Sequence, residues 1–221
     1  MKKILALLAI FSFVWLSSQN TFVKDNYTKK EVYITMRDGV KLFTSIYIPK
    51  DISSKKKYPF LMQRTCYSVA PYGEDQYKRS LGPNKFLQND KYIFVYQDVR
   101  GRYMSEGTFT NMTPQVDHKT KKDVDESTDT YDTIDWLIKN IENNNGNVGQ
   151  YGTSYPGFYA AVGALANHPA LKASSPQAPI SDFWFDDFHH NGAFMMGYFR
   201  TFPVFGVQKT KPENSSWYTE Q

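Results

Sequence analysis

The chain has 221 residues, of which 41% are hydrophobic and 16% aromatic, and its formal net charge is +4. This length and composition suffice for one domain, or slightly more, with a packed core, and they exclude disorder of the whole chain. Part of the charge comes from short lysine runs at 29–30 and 55–57. No basic stripe interleaved with aromatic residues occurs, so a nucleic-acid partner is not expected.

The N-terminus has the pattern of a secretory signal peptide. Lys2 and Lys3 form a positively charged start, residues 4–16 are mostly apolar, and two serines at 17–18 provide small residues for cleavage. The apolar run is shorter than a membrane span requires. We therefore predict a signal peptide over residues 1–18 and a secreted or periplasmic mature protein without a membrane partner. An uncleaved membrane anchor is the alternative.

The first predicted strands follow this segment. Residues 31–36 and 40–48 are rich in β-branched and aromatic residues and alternate in polarity. The Asp-Gly pair between them predicts a hairpin, because glycine accepts a positive φ at no steric cost. A further strand is predicted over 58–65. The continuous apolar run at 91–97 predicts a strand that is buried on both faces of a parallel sheet.

The single cysteine limits the chemistry that the chain can perform. Because Cys66 is the only cysteine, an intrachain disulfide is excluded. Such a residue more often fills a small buried site than takes part in chemistry. No Cys/His spacing suggests a metal site, and neither a metal nor another cofactor is predicted.

The middle of the chain combines loops with two helical patterns. Leu81–Gln88 is a candidate short helix, and a long polar loop is expected to run to about Thr128. Residues 129–141 place apolar side chains at helical spacing, and the Asn-Asn-Asn-Gly run at 143–146 is predicted to end that helix. The alternation of strands and helices indicates a parallel α/β sheet.

A glycine-flanked turn, Gly-Thr-Ser-Tyr-Pro-Gly at 152–157, lies between a β-rich run at 147–151 and a small, apolar run at 158–166. In a nucleophile elbow, glycines flank a cramped strand-to-helix turn and the serine hydroxyl is exposed above the sheet. Ser154 is therefore the candidate nucleophile, and the N–H of Tyr155 is expected to point to the developing oxyanion. The alternative is an ordinary turn with an N-capping Ser or Thr.

The chain changes character after one more predicted strand at 171–179. Aromatic residues and methionines are concentrated between 183 and 199, which is too apolar for a routine surface. We interpret residues 19–181 as the core domain and residues 182–221 as the start of an inserted cap or lid.

Five ordered stretches together resemble a known family. They are residues 36–42 (MRDGVKL), 64–67 (RTCY), 97–107 (QDVRGRYMSEG), the turn at 152–157, and 186–194 (DDFHHNGAF). The chain resembles the N-terminal part of the α-amino-acid ester hydrolases, within the wider group of cocaine-esterase-like and X-prolyl dipeptidyl-peptidase acyl hydrolases. The resemblance implies an α/β-hydrolase fold, here incomplete, with the start of a helical cap insertion.

The resemblance also implies roles for particular residues of the catalytic machinery. Ser154 matches the family nucleophile, and Tyr155 matches the residue that gives a backbone N–H to the oxyanion hole. Tyr67 matches the residue that gives a phenolic O–H to the same oxygen. Losing one such donor typically costs about 100-fold to 1,000-fold in rate.

A pair of aspartates carries the implied substrate preference. In the ester hydrolases one aspartate of this motif belongs to a carboxylate cluster that binds the substrate's α-ammonium group. Asp187 matches that position and Asp186 is its neighbour. A charge at the edge of an aromatic pocket is costly unless it is paired, so a cationic ligand would explain it. The alternative is a lid carboxylate that caps a helix or faces water.

Four further charged residues are interpreted as structural rather than as substrate contacts. They lie in loops at the end of the predicted sheet, where they would form pairs and hold the surroundings of the turn. They are Arg64, Asp98, Arg100 and Arg102.

A serine hydrolase needs a base and an acid, which in this fold follow the serine along the chain. The residues after Ser154 are too few for a cap, the remaining strands and both partners, so the acid and the histidine are expected beyond residue 221. None of the four histidines, at 118, 168, 189 and 190, fits the base. The chain is therefore interpreted as a truncated product with uncovered sheet edges.

These observations predict a secreted serine acyl hydrolase for esters or amides of α-amino acids, acting through an acyl-enzyme. The expected partner is a small-molecule substrate with a free α-amino group, and β-lactam acyl groups are among those implied. Alternatives within the enzyme class are an X-prolyl dipeptidyl-peptidase and a glutaryl-cephalosporin acylase. A non-catalytic secreted binding module, or an inactive fragment, is the alternative from another class. Homo-oligomerisation stays open.

Overall fold

The computed structural model describes residues 21–117, 120, 122–182 and 184–197. The predicted signal peptide, His118 and the last part of the predicted cap, 198–221, lie outside the described residues. Within the described part of the chain, no helix has the length and hydrophobicity that crossing a membrane requires.

A six-stranded sheet forms the centre of the fold, with the spatial order β1-β2-β4-β3-β5-β6. The strands are β1 Tyr27–Thr35, β2 Lys41–Pro49, β3 Tyr58–Thr65, β4 Ile93–Asp98, β5 Asn144–Thr153 and β6 Leu171–Gln177. β1, β2 and β4 are antiparallel neighbours, whereas β4, β3, β5 and β6 run parallel. The sheet is therefore mixed, and the carboxyl ends of its four parallel strands meet at one edge.

Four α-helices and a small appended unit complete the described elements. The helices are α1 Phe22–Asn26, α2 Lys85–Asp90, α3 Glu126–Asn140 and α4 Tyr155–Ala164. After β6 come a π-helical turn, Trp184–Phe188, and a two-stranded hairpin of β7 His189–His190 and β8 Ala193–Phe194. β6 forms one edge of the described sheet, and most of its residues are exposed.

The core lies on both faces of the sheet, because successive strand residues point to opposite faces. On one face, Phe60, Met62 and Val95 pack against Ile134 and Leu137 of α3. On the other face, a second cluster packs beneath the loop that links β3 to α2. Its buried members are Val23, Tyr27, Phe43, Tyr47, Val69, Leu81, Phe94 and Tyr96. The two clusters hold the sheet rigid beneath the turns at its carboxyl edge.

The structure confirms several predicted elements. The β1–β2 hairpin forms at the Asp-Gly pair, where Gly39 has a φ of +90°. The strand predicted over 58–65 is observed with those limits. Cys66 is fully buried, as expected for a residue that fills a small site.

The starts that the sequence predicts for the two helices of the middle region are wrong. α3 starts at Glu126, not 129, because Asp125 accepts the Thr128 N–H at 2.8 Å and its own N–H donates to Thr128 Oγ1 at 2.9 Å. This capping box lies inside what the sequence presents as a polar loop. α2 starts at Lys85 rather than at Leu81, because Asn84 caps it through the N–H of Leu87 at 2.9 Å.

Candidate active site

The turn at 152–157 joins β5 to α4 and has the geometry of a nucleophile elbow. Ser154 has φ +64° and ψ −125°, a sparsely populated conformation for a residue with a side chain. Its N–H donates to the Gln177 carbonyl at 3.0 Å, and its own carbonyl accepts the Phe158 N–H at 3.0 Å. The turn is therefore held from β6 on one side and from α4 on the other.

The two flanking glycines are required because side chains would not fit. A Cβ at Gly152 would lie 2.0 Å from the Pro156 carbonyl oxygen, and a Cβ at Gly157 would lie 2.4 Å from the Gln177 carbonyl oxygen. Both obstacles are backbone atoms, which cannot move aside as a flexible side chain can. The cramped turn that the sequence predicts is therefore present.

The side chain of Ser154 is exposed, although the residue occupies the N-cap position of α4. It makes no capping hydrogen bond with the helix. An N-capping serine would place its oxygen on the N–H of the second or third helical residue. The alternative of an ordinary capped turn is thus not what this geometry shows, and the hydroxyl is left directed at the surface.

Tyr155 and Tyr67, the two predicted oxyanion donors, contact each other through their rings. Tyr155 is fully buried as the first residue of α4, and its ring meets that of Tyr67 edge to face at a centroid distance of 6.2 Å. The Tyr155 hydroxyl donates to Asn111 Oδ1 at 3.0 Å and accepts the Met112 N–H at 2.9 Å. The phenol of Tyr155 therefore has a structural role, and the oxyanion role of its backbone N–H stays a prediction.

Two of the charged residues predicted to be structural, Arg64 and Arg100, form ion pairs near the carboxyl ends of β3 and β4. Arg64 donates to Gln97 Oε1 at 2.8 Å and pairs with Glu126 at 2.9 Å. Its guanidinium also lies 5.9 Å from the Tyr159 ring of α4.

Arg100 forms ion pairs with Asp129 of α3 and with Asp38 of the β1–β2 hairpin, each at 2.7 Å. The ends of β3 and β4 are thus tied to the start of α3 and to the underside of α4.

Asp98 and Arg102 complete this set. Asp98 ends β4 and accepts the Val69 N–H and the Tyr72 O–H, both at 2.9 Å. Burial raises the pKa of Asp98 to about 7. Arg102 donates to the Cys66 carbonyl at 3.1 Å, beneath the strand end that leads to Tyr67. These contacts are those expected of side chains that hold loops.

The predicted substrate aspartates lie in the π-helical turn after β6. Asp187 is half-buried, and the side chain of Asp186 lies outside the described part of the chain. Beside them, the ring of His189 stacks on Trp184 at 3.7 Å. The role of both aspartates in substrate binding stays a prediction.

His168 has a structural role in the connection between α4 and β6. Its Nδ1 accepts the Ala170 N–H at 3.1 Å, and its ring packs on Tyr131 at 4.6 Å. Burial lowers the pKa of His168. His168 is thus held by its own loop and by α3.

One contributor to the elbow was not foreseen from the sequence. The Gln177 carbonyl both accepts the Ser154 N–H and closes the space beside Gly157. It is a backbone group supplied by the pairing of β6 with β5. Because any residue type has such a carbonyl, no side-chain pattern could have revealed it.

A mixed sheet in this strand order, with four parallel strands and a strained serine in a glycine-flanked turn after β5, defines the α/β-hydrolase class. Residues 38–220 match the family described as X-Pro dipeptidyl-peptidase (S15 family). The chain belongs to this family.

Individual relatives agree with that assignment. The chain is 32% identical over 165 residues to the cocaine esterase of Rhodococcus sp. (strain MB1 Bresler), covering 73% of this chain and 25% of that protein. It superposes on an α-amino acid ester hydrolase with a TM-score of 0.73 at 38% identity, covering 85% of this chain and 31% of that one. An aminopeptidase from a marine sediment Thaumarchaeota archaeon gives a TM-score of 0.69 at 38% identity, covering 86% and 31%.

The chain thus spans about a quarter of the length of the curated relatives that it matches. The matched part contains the elbow, both tyrosines and the start of the segment after β6. The family is therefore shown by the region in which the candidate nucleophile lies.

Proposed function

We propose that the whole protein is a serine acyl hydrolase in which Ser154 attacks an ester or amide carbonyl. The observation that carries this proposal is the conformation of Ser154, with a positive φ, an exposed side chain and no capping bond. Backbone strain of this kind costs of order 1–3 kcal/mol and is typical of functional sites. Glycine would relieve the strain here, but it would remove the hydroxyl.

In the proposed reaction, the Ser154 oxygen forms a bond to the carbonyl carbon as its proton passes to a base. The carbonyl oxygen becomes an oxyanion, which the Tyr155 N–H and the Tyr67 O–H stabilise. The alcohol or amine leaves with a proton, and water then hydrolyses the acyl-enzyme to release the acid. The N-terminal end of α4 adds a favourable dipole near the developing negative charge.

The base and its acid partner are proposed to come from residues outside those described. The position of His168 in its own loop supports this, as does the small share of the relatives' length that the chain covers. A triad in this fold takes its acid and histidine after the nucleophile.

We further propose that the substrate carries a free α-amino group, whose charge Asp187 binds. Two similar structures are named as an α-amino acid ester hydrolase and an aminopeptidase, which is in keeping with such a substrate. Asp187 lies in an aromatic segment with an exposed Trp184 and Phe185, where an ammonium group would meet both a carboxylate and ring faces.

The direct test of the nucleophile is labelling with a fluorophosphonate, which reacts covalently with an activated serine. The whole protein should be labelled at Ser154, whereas the Ser154→Ala variant should not react. Thr153→Ala is the matched control, because Thr153 is an exposed hydroxyl at the adjacent position and should be dispensable. Absence of labelling in the folded wild-type protein would favour the binding-module alternative.

The test of the substrate class compares an α-amino ester with the same ester lacking the amine. Asp187→Asn should lower kcat/KM for the amino ester by about tenfold or more, the usual value of a lost charge pair, and leave the other ester unchanged. Asp182→Asn is the control for general damage to the segment, since Asp182 accepts the Trp184 N–H at 2.7 Å. It should affect both esters equally. An unchanged preference in Asp187→Asn would remove this residue from recognition.

We also propose that the protein is exported and that residues 1–18 are removed. The charged start, apolar centre and small residues at the N-terminus support this proposal. Mass spectrometry of the N-terminal peptide of the protein from its native host should find a start shortly after Ser18. A retained Met1 in the mature protein would contradict it.

A further inference from the structure

The loop between Tyr67 and α2 borders an open pocket of about 410 Å³ on the face of the sheet opposite α3. The lining contains two cations and two hydroxyl groups but no carboxylate. The residues that line it are Ala70, Pro71, Tyr77, Lys78, Arg79 and Ser80. This composition favours a negatively charged occupant.

Lys78 is the central cation of this lining. Its Nζ donates to the Ala70 carbonyl at 2.7 Å and lies 4.8 Å from the centroid of the Tyr96 ring. In the described part of the chain, these are the polar contacts of its ammonium, and no carboxylate pairs with it. The loop therefore holds a partly buried positive charge that forms no ion pair within the described residues.

The neighbouring charges do not supply that partner. Lys29 donates to the Pro71 carbonyl at 2.6 Å and is itself paired with Glu31, also at 2.6 Å. Asp98 attracts Lys78, but its oxygens already accept hydrogen bonds from the β3–α2 loop. Burial lowers the pKa of Lys78 to about 8, and repulsion from Lys29 adds to the effect. A charge that is partly removed from water costs free energy unless it is paired.

We propose that this cavity binds a small oxyanion, a carboxylate or a phosphate, between the Lys78 ammonium and the Arg79 guanidinium. Arg79 is exposed at the rim, where its planar fork suits two oxygens of one anion. Lys78 contributes a compact charge from inside. The site is separate from the proposed chemistry at Ser154, although the loop that forms it begins just after Tyr67.

The test follows acetylation of Lys78 in the whole protein by sulfo-N-hydroxysuccinimidyl acetate at pH 7.5, quantified by peptide mass spectrometry. Sodium phosphate or sodium acetate is titrated while sodium chloride keeps the ionic strength constant. The uncharged amine reacts, so an anion that pairs with Lys78 should slow its acetylation. An opposite charge nearby shifts a pKa by roughly 1–3 units, so saturating anion should slow the reaction about tenfold or more. Exposed Lys55 is the internal reference.

Two variants make the result specific to the cavity. Arg79→Gln should raise the half-saturating anion concentration by about tenfold, the effect of losing one charge-assisted contact. Lys85→Gln is the matched control, because it removes an exposed positive charge of the next element that does not line the cavity. It should leave the titration unchanged. Phosphate or acetate, whichever saturates at the lower concentration, identifies the kind of anion that the site prefers.

Equal slowing of Lys78 and Lys55 by both anions would overturn the proposal, since it would reflect screening alone. Equal effects of Arg79→Gln and Lys85→Gln would also overturn it. The measurement uses no hydrolysable substrate and can be repeated in the Ser154→Ala variant. Its outcome is therefore independent of whether the protein proves to be a hydrolase.

Discussion

Two turns of this molecule use glycine for opposite reasons. In the β1–β2 hairpin, Gly39 has a φ of +90°, and no atom lies within 4 Å of the position that a Cβ would take. Conformation rather than space selects glycine there. In the elbow, Gly152 and Gly157 have no positive φ, but a Cβ at either would lie 2.0–2.4 Å from a backbone oxygen. The positive φ of the elbow, +64°, falls on Ser154 instead.

The difference shows where the fold places its strain. A turn that only reverses the chain uses a residue without a Cβ at its left-handed position. The elbow places a hydroxyl-bearing residue in the strained conformation, and the glycines on either side provide the room. Such a strained conformation persists where the surrounding structure fixes the backbone, and it is typical of residues whose side chains have a function.

Replacing Ser154 tests both its role as the nucleophile and the strain of its backbone. We expect Ser154→Ala and Ser154→Gly to reduce turnover by about 10⁴-fold or more, as for other lost nucleophiles. Ser154→Gly should nevertheless be more stable than Ser154→Ala by about 1 kcal/mol, because glycine adopts a positive φ without strain. Steady-state kinetics and urea unfolding of both variants provide the measurement. Equal stabilities would show that the serine is not strained.

Replacing Gly152 and Gly39 with alanine tests whether space limits the elbow and conformation limits the hairpin. Gly152→Ala should lower the free energy of unfolding by about 3 kcal/mol or more, or prevent folding, because its Cβ meets the Pro156 carbonyl. Gly39→Ala, with open space around it, should cost only the conformational penalty of about 1–2 kcal/mol. Denaturant titrations of the two variants give the difference. Similar losses would mean that space is not limiting in the elbow.

Removing one hydroxyl tests whether the strained turn serves an oxyanion hole. Tyr67→Phe should lower kcat by about 100-fold to 1,000-fold, because one donor to the developing charge is lost. Its unfolding free energy should stay within about 1 kcal/mol of the wild-type value, the net contribution of one ordinary hydrogen bond. Tyr131→Phe, a phenol that packs on His168, is the control and should retain full kcat. A fully active Tyr67→Phe would refute the oxyanion role.

A pH-dependent effect is expected from the buried carboxyl of Asp98 at the end of β4. Because burial raises the pKa of Asp98 to about 7, the folded protein keeps a proton there that the unfolded chain releases from about pH 4 upward. This carboxyl therefore reduces stability as pH rises between about 4 and 7, and the reduction is complete above pH 7.

The Asp98→Asn variant removes that proton equilibrium. The unfolding free energy of the wild type minus that of Asp98→Asn should fall between pH 4 and 7, by up to about 1 kcal/mol per pH unit. Asp75→Asn, at an exposed position, is the control for general effects of charge. A difference that rises with pH over this interval would contradict the assigned direction.

The first turn of α3 is a feature that local sequence patterns do not predict. Sequence periodicity does not predict the start of α3, because residues 126–130 are polar and the helical pattern depends on the spacing of apolar side chains. In the fold these residues are buried, and Arg64 at the end of β3 donates to the Glu126 carbonyl and to the Thr130 hydroxyl. The polar loop predicted there is a helix whose first turn faces a buried ionic network.

Local sequence patterns are sufficient to predict the hairpin, most strands, the elbow and Ser154 as the candidate nucleophile. Each depends on turn chemistry or periodicity within a few neighbouring residues. The contact of the Tyr67 ring with Tyr155, and the hydrogen bond from the Ser154 N–H to the Gln177 carbonyl, are seen only in the tertiary structure. These contacts join separate parallel strands, whose pairing depends on the packing of the whole sheet and leaves no mark on the local sequence.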